Sequence, residues 1–175
     1  WVPKVVSGDA VIGLGLTEPR GGSDAANLIL KAKKSGNGWR LNGEKTSMSF
    51  ASQADAAVVF ARTGDEEGMG AFLVDPGDDG YRVVGEESTL GLRASQTATV
   101  ELDGVYVGPE GLLGDLEGGL RVAMQAVDVG RVGVAAQAVG IARAAMEHAT
   151  QYSLERMQFG RAIANFGAIQ AKLAD

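Results

Sequence analysis

The hydrophobic period of the chain changes once, and that change constrains the fold more than any single motif. Between Val11 and about Val107 the apolar residues fall in short runs: "VIGLGL", "LILKAKK", "WRLNGEKTSMSF", "AAVVFAR", "GAFLVD", "YRVVG" and "ATVELDGVYV". Gly, Asp and Asn clusters separate them, the punctuation expected between strands. Asn42-Gly43 predicts a type I′ turn, with Trp39-Arg40-Leu41 and Glu44-Lys45-Thr46 paired as its hairpin. From Gly118 to about Arg156 the text becomes helical, with Val134, Ala138, Ile141, Ala145, Ala149 and Tyr152 recurring at threes and fours. Gly130, Gly133 and Gly140 each cost that helix about 1 kcal/mol relative to alanine, so they predict close backbone approach to another helix or a ligand. "ERMQFGR" interrupts the pattern at Phe159-Gly160, and a second helix is expected near Asn165. Strands followed by helices make this an α+β chain, the first part a sandwich or small barrel.

Charge and rare residues narrow the chemistry. A net charge of −6 argues against a nucleic-acid partner or an anionic membrane surface. No apolar run approaches the roughly 18–20 residues of a membrane span. Zero cysteines removes disulfides and thiolate chemistry. The single His148 reads as a helix-surface residue, and no metal site is expected. The chain begins at Trp1 with no signal-peptide pattern and stops at Asp175 inside the amphipathic "FGAIQAKLAD", so it reads as an internal segment of a longer protein.

The densest cluster of special residues is "GLGLTEPRGGSDAAN", Gly13 to Asn27, placed directly after an apolar run. Gly21-Gly22-Ser23 can present consecutive N–H groups unobstructed, and Thr17 and Ser23 add hydroxyls that donate and accept. Such a turn suits a polar or anionic ligand at a strand end. It equally suits a plain glycine-rich turn with Asp24 as a local cap. The spacing matches neither the GxxxxGK[ST] nor the GxGxxG phosphate loop.

"GLTEPRGGSDAAN" resembles the first signature of the acyl-CoA dehydrogenase family. "LNGEKTSMSFASQADAAVVFART", "LGLRASQTATVELDGVYVG" and "YSLERMQFGRAIANFGAIQAKLAD" extend the likeness, in the family's order, over nearly the whole chain. The resemblance implies an antiparallel β-barrel or sandwich domain over residues 1–114. The start of a helical domain, long helices of a partial four-helix bundle, would occupy 115–175. It implies FAD as cofactor, with Leu14, Leu16 and Thr17 along the flavin and Ser49 as a second hydroxyl on its ring. Gly22 and Ser23 would approach the FAD pyrophosphate, with Ser23 also on the CoA side of the cleft. Arg156, Gln158 and Phe159, from "ERMQFG", would reach the FAD of a neighbouring subunit in a homodimer or homotetramer. Asp128 and Arg131 would border the thioester and pantetheine; by spacing alone they are an i,i+3 surface ion pair.

The implied activity is α,β-dehydrogenation of an acyl-CoA, with electrons passed to an electron-transferring flavoprotein. The protein would reside in the bacterial cytoplasm or, in a eukaryote, the mitochondrial matrix. Some positions depart from the family pattern. Ser47 stands where an aromatic residue is usual beside the flavin, Gly167 where many members have glutamine, and Asn27 where a small residue is usual. Gly130 occupies one of the two family positions for the catalytic glutamate, so the base is expected beyond Asp175 and the segment alone should be inactive. An acyl-CoA oxidase or flavin monooxygenase on the same scaffold, or a non-catalytic module binding CoA esters, are the alternatives.

Overall fold

In β4 (Ala56–Arg62), Ala57, Val59 and Ala61 enter one apolar cluster, while Val58 and Phe60 face another. A strand covered on both faces has no reason to alternate, hence the unbroken AAVVFA run. The computed structural model describes residues 1–64 and 68–175. Among them, β1 (Ile12–Gly15), β2 (Lys31–Ser35), β3 (Gly38–Ser49), β4, β5 (Met69–Val74), β6 (Tyr81–Glu86) and β7 (Thr97–Val107) form one sheet. The order is β1-β4-β2-β3-β7-β6, with β5 also on β4. Most pairings are antiparallel; β1–β4 and the single β2–β4 bridge are parallel. The sheet curls until the end of β1 meets β3, where Thr46 N–H donates to the Thr17 carbonyl at 2.9 Å.

The inner cluster is centred on Trp39, Leu41, Val59, Phe72, Val100 and Val105. Trp39 and Phe72 have ring centroids 5.6 Å apart, tilted by 57°. Tyr81 closes one end of the cluster, and its hydroxyl donates to the Ala51 carbonyl at 3.2 Å. Burial pushes this phenol up to about 12. The outer cluster joins Leu28, Phe60, Met69 and Ala71 to Ala123, near the start of α2 (Gly119–Glu155).

The expected hairpin at Asn42-Gly43 is absent: β3 runs straight through both residues. The turn lies six residues earlier, with Ser35 paired to Gly38 and Gly36 at φ 59°, where a type II′ turn wants glycine. At Asn42 the structure has a bulge instead. Asn42 Oδ1 accepts the N–H of Gly104, the extra residue of β7, which takes φ 71°. Gly43 is needed for close approach, since a Cβ there would sit 2.8 Å from Leu30 Cα. The sequence reading also missed α1 (Val2–Ser7), a helix ended by Gly8 at φ 81°.

The chain divides into two compact units, Trp1–Gln125 and Ala126–Asp175. The opening turns of α2 belong with the sheet because Val122, Ala123 and Met124 pack in the outer cluster. In the second unit α2 continues to Glu155. It is followed by β8 (Met157–Gln158), paired to β9 (Arg161–Ala162), and α3 (Gly167–Ala174). Phe159 at φ 50° and Gly160 at φ 75° make the tight turn between β8 and β9. The helix Ala126–Glu155 carries exposed Val129, Val132, Val139 and Ile141. Beyond the helix's own backbone, nothing among the described residues lies within 4 Å of a Cβ built at Gly130, Gly133 or Gly140.

Candidate functional site

Strand β1 reverses the usual logic of a barrel strand. Its glycines, Gly13 and Gly15, face in and its one leucine, Leu14, faces out. A Cβ on Gly13 would meet Met48 Cε at 2.5 Å, and one on Gly15 would meet Lys45 Cγ at 3.3 Å and Met48 Sδ at 3.4 Å. Larger residues would displace the Lys45 stem and Met48 from the interior. Leu14 is left 40% exposed on the outer face, and half-buried Leu16 packs against the outer cluster. An apolar stripe turned outward beside polar groups marks a surface built to be covered.

The polar groups come from two strands. Thr17 follows Leu16, and Gly22 lies so close that a Cβ there would be 3.1 Å from Thr17 Oγ1. Ser49, exposed, has its carbonyl 3.5 Å from the Cβ position of Gly13. Neither Thr17 Oγ1, Ser49 Oγ nor Ser23 Oγ has a hydrogen-bond partner among the described residues, so these hydroxyls remain free for a ligand. Ser47 sits in the β3 bulge between Lys45 and Met48 at φ 52°, and its hydroxyl donates to Glu87 at 3.0 Å. A non-glycine residue in that conformation is strained, and such strain clusters at functional sites.

Sequence reasoning missed the pair that holds this surface in place. Lys45 is 0% exposed and Glu18 4%, with Nζ 2.9 Å from Oε1. Lys45 also donates to the Leu16 carbonyl at 3.1 Å. Glu18 accepts the N–H of Ile29 at 2.7 Å and of Leu30 at 3.0 Å. Burial alone raises the Glu18 carboxyl, but the Lys45 ammonium and the two backbone donors outweigh it and hold the group below its ordinary value. The signal in the text was glycine at Gly13 and Gly15 opposite a lysine inside a strand, a combination that leaves room for a buried charge.

Between those anchors the residues Pro19–Asn27 are exposed or half-buried. The Glu18–Gly21 bridge turns the chain, and Asp24 accepts from Arg20 at 3.2 Å and Asn27 at 2.8 Å. The Asp24 carboxylate thus ties together the side chains of Arg20 and Asn27 across the turn, and Gly22 and Ser23 are exposed. A concavity of about 520 Å³ lies beside this segment, lined by Glu18, Arg20, Ile29, Glu44, Glu101 and Asp103 among others. Its acidic rim is the wrong sign for a pyrophosphate; of the three N–H groups expected to lie open, that of Gly21 already donates to the Glu18 carbonyl at 2.9 Å.

The remaining expected residues lie in the second unit. Asp128 and Arg131 form an exposed i,i+3 ion pair at 2.5 Å. Arg156 and Gln158 are exposed, and the Arg156 side chain has no ion-pair partner among the described residues. Phe159 is 91% exposed at its turn, edge-on to Phe166 at 6.2 Å. Phe159, Ile163, Phe166 and Ile169 line an apolar cleft of about 380 Å³.

Residues 13–105 match the family described as "Acyl-CoA dehydrogenase, middle domain", and residues 117–175 match "Acyl-CoA dehydrogenase, C-terminal domain". The chain is 41% identical over its whole length to the acyl-CoA dehydrogenase of Bacillus subtilis (strain 168), covering 47% of that protein. It is 36% identical, again over its whole length, to the caffeyl-CoA reductase-Etf complex subunit CarC of Acetobacterium woodii, covering 47% of it. The structure of butyryl-CoA dehydrogenase from Megasphaera elsdenii superimposes with a TM-score of 0.94 at 37% identity, over 100% of this chain and 47% of that one. The chain therefore spans about half the length of the relatives it matches.

Proposed function

The chain belongs to the acyl-CoA dehydrogenase family, and from that premise we propose that its parent protein is an FAD-dependent acyl-CoA dehydrogenase. What supports this reading is the segment from β1 onward, where Leu14 is exposed, Leu16 half-buried and Thr17 follows directly, with the exposed Ser49, whose carbonyl is 3.5 Å from the Cβ position of Gly13, on β3. Apolar side chains flanked by free donors fit a flat, largely apolar ring with a polar edge. FAD, when bound, would supply the acceptor for a hydride from the acyl chain. Leu14 and Leu16 cover the ring, and Thr17 and Ser49 orient it by hydrogen bonds. Gly22 and Ser23 offer uncovered N–H and hydroxyl groups to the pyrophosphate. Arg156, Gln158 and Phe159 serve the adenine half of a neighbouring subunit's cofactor, which makes the working unit a homodimer or homotetramer. Asp128 and Arg131 border the acyl-CoA thioester.

Of the two positions that the family resemblance offers for the catalytic glutamate, one is Gly130, which cannot take a proton, so we assign the α-proton to a carboxylate at the other, outside residues 1–175. The electron acceptor is an electron-transferring flavoprotein, a reading supported by the Acetobacterium woodii relative, a subunit of a caffeyl-CoA reductase-Etf complex. The full-length protein should purify yellow and release FAD on denaturation. Release of FMN, or a nicotinamide requirement without flavin, would sink the proposal.

Thr17→Val is nearly isosteric and removes only the hydroxyl. Losing one buried hydrogen bond costs about 1–3 kcal/mol, so FAD should bind roughly 5- to 150-fold more weakly, with a shifted visible spectrum and an intact fold. Equilibrium titration of the apoprotein with FAD checks this. Arg156→Ala should loosen FAD by about 1.5–3 kcal/mol and weaken assembly, read by flavin content across a size-exclusion profile. A monomeric variant that keeps wild-type affinity would contradict the cross-subunit role.

Ser47 supports one second reading, direct use of oxygen. A serine leaves open the area of ~150–250 Å² that an aromatic ring would bury. Ser47→Trp should slow reoxidation of the reduced flavin by dissolved oxygen in stopped flow. Equal rates would remove the only feature favouring an oxidase.

A further inference from the structure

Thr17 is fixed from both sides by a charge that the proposed chemistry does not consume. The carbonyl before it, at Leu16, accepts from Lys45 Nζ; its own carbonyl accepts from Thr46 N–H; the side chain after it, Glu18, is paired to Lys45. The same Glu18 carboxylate then reaches across the loop to bind the N–H groups of Ile29 and Leu30. One buried pair thereby pins both ends of the exposed Pro19–Asn27 segment. A buried ion pair is seldom the most stabilising choice, since apolar side chains of similar volume often do as well or better. What apolar side chains cannot do is hold one carbonyl and two N–H groups of separate backbone stretches in a fixed relation. Gly13 and Gly15 complete the device, because the Lys45 stem needs the space that a Cβ at Gly15 would take.

We infer that Glu18 and Lys45 are positioning residues for the cofactor. By fixing the backbone on each side of Thr17 and closing the mouth of the Pro19–Asn27 loop, they set where the Thr17 hydroxyl and the Gly22-Ser23 segment meet FAD. This rests on the FAD reading above. It assigns to the pair a role in cofactor geometry that is separable from holding the domain together.

The test uses full-length protein stripped of flavin and titrated with FAD. Glu18→Gln keeps the shape but only one acceptor oxygen, so it loses the charge that fixes Lys45 and can satisfy only one of the two N–H groups that now bind separate oxygens. Its apoprotein should still unfold cooperatively in urea, while the FAD dissociation constant rises about tenfold or more, the loss expected for a weakened charge-assisted hydrogen-bond set. The visible band of the flavin that does bind should shift in the same direction as in Thr17→Val. The double variant Glu18→Gln/Thr17→Val should bind FAD little worse than the weaker single variant, because both act through one hydroxyl. Glu18→Asp, which keeps the charge but draws it back by one methylene, gives the same reading at smaller amplitude if Glu18→Gln does not fold. Unchanged affinity and spectrum alongside reduced urea stability would overturn the inference and leave the pair a structural one. Wild-type protein that takes up no FAD would overturn the cofactor reading as well, and is recognised by failing before any substitution is made.

Discussion

Lys45→Met should destabilise the unit Trp1–Gln125 by about 3–5 kcal/mol, the cost of leaving a buried charge without its partner. The methionine fills the stem's space beside Gly15 and Met48, so the loss is electrostatic rather than a cavity. Glu18 remains at 4% exposure, with two backbone donors and no cation. Pairing the change with Glu18→Leu should not restore stability, because the N–H groups of Ile29 and Leu30 then lose their acceptor. The pair also predicts acid sensitivity. The Glu18 carboxyl titrates below its ordinary 4.5 when folded, so its contribution is complete above about pH 4.5. It is lost as pH falls through the folded value, where the unfolded chain binds the proton more readily. Glu18→Gln should flatten that part of the stability–pH curve. Urea unfolding at a series of pH values measures both effects. A Lys45→Met loss under about 1 kcal/mol, the size of an exposed pair, would mean that water reaches the charges.

Phe72→Ala should cost a similar amount, about 3–5 kcal/mol, by a different route. Phe72 is fully buried against Trp39, and Gly70 leaves room for it, since a Cβ there would stand 2.7 Å from the ring. Truncation removes the transfer free energy of the ring and leaves a cavity that strands β4 and β5 cannot close. Phe72 packs against Trp39 and beside Gly70, neither of them assigned to the cofactor, so its effect should be confined to stability. Folded Phe72→Ala protein should bind FAD with the wild-type visible spectrum, in contrast to Glu18→Gln. A midpoint close to wild type would place the ring in a site that relaxes freely.

The alternation of β3 and β7 and the unbroken apolar run of β4 were legible because burial on one or both faces writes itself into neighbouring residues, and the threes-and-fours spacing of α2 marked a helix. The Asn-Gly signal at residues 42–43 misled because a turn and a bulge demand the same backbone freedom, and only the long-range pairing of Leu41 with Val105 decides between them. The parallel placement of β1 on β4 likewise depends on residues 44 positions apart, Ile12 and Ala56, which local pattern cannot join. Helix α1 did leave a trace in Pro3 and Gly8, a proline near the start and a glycine past the end. The outward hydroxyls of Thr17 and Ser49 could be named from the sequence because the family resemblance marks them. Lys45 and Glu18 could not, since a charged residue in a strand ordinarily faces water, and only the glycines opposite reveal the space that takes it in.

Anaerobic titration of the full-length, flavin-loaded protein with a panel of saturated acyl-CoA thioesters tests the proposed activity most directly. At least one member of the panel should bleach the flavin absorbance stoichiometrically and yield the α,β-unsaturated thioester. FAD-loaded protein that stays oxidised with every saturated acyl-CoA, yet is bleached by a chemical reductant, would contradict the proposed dehydrogenase.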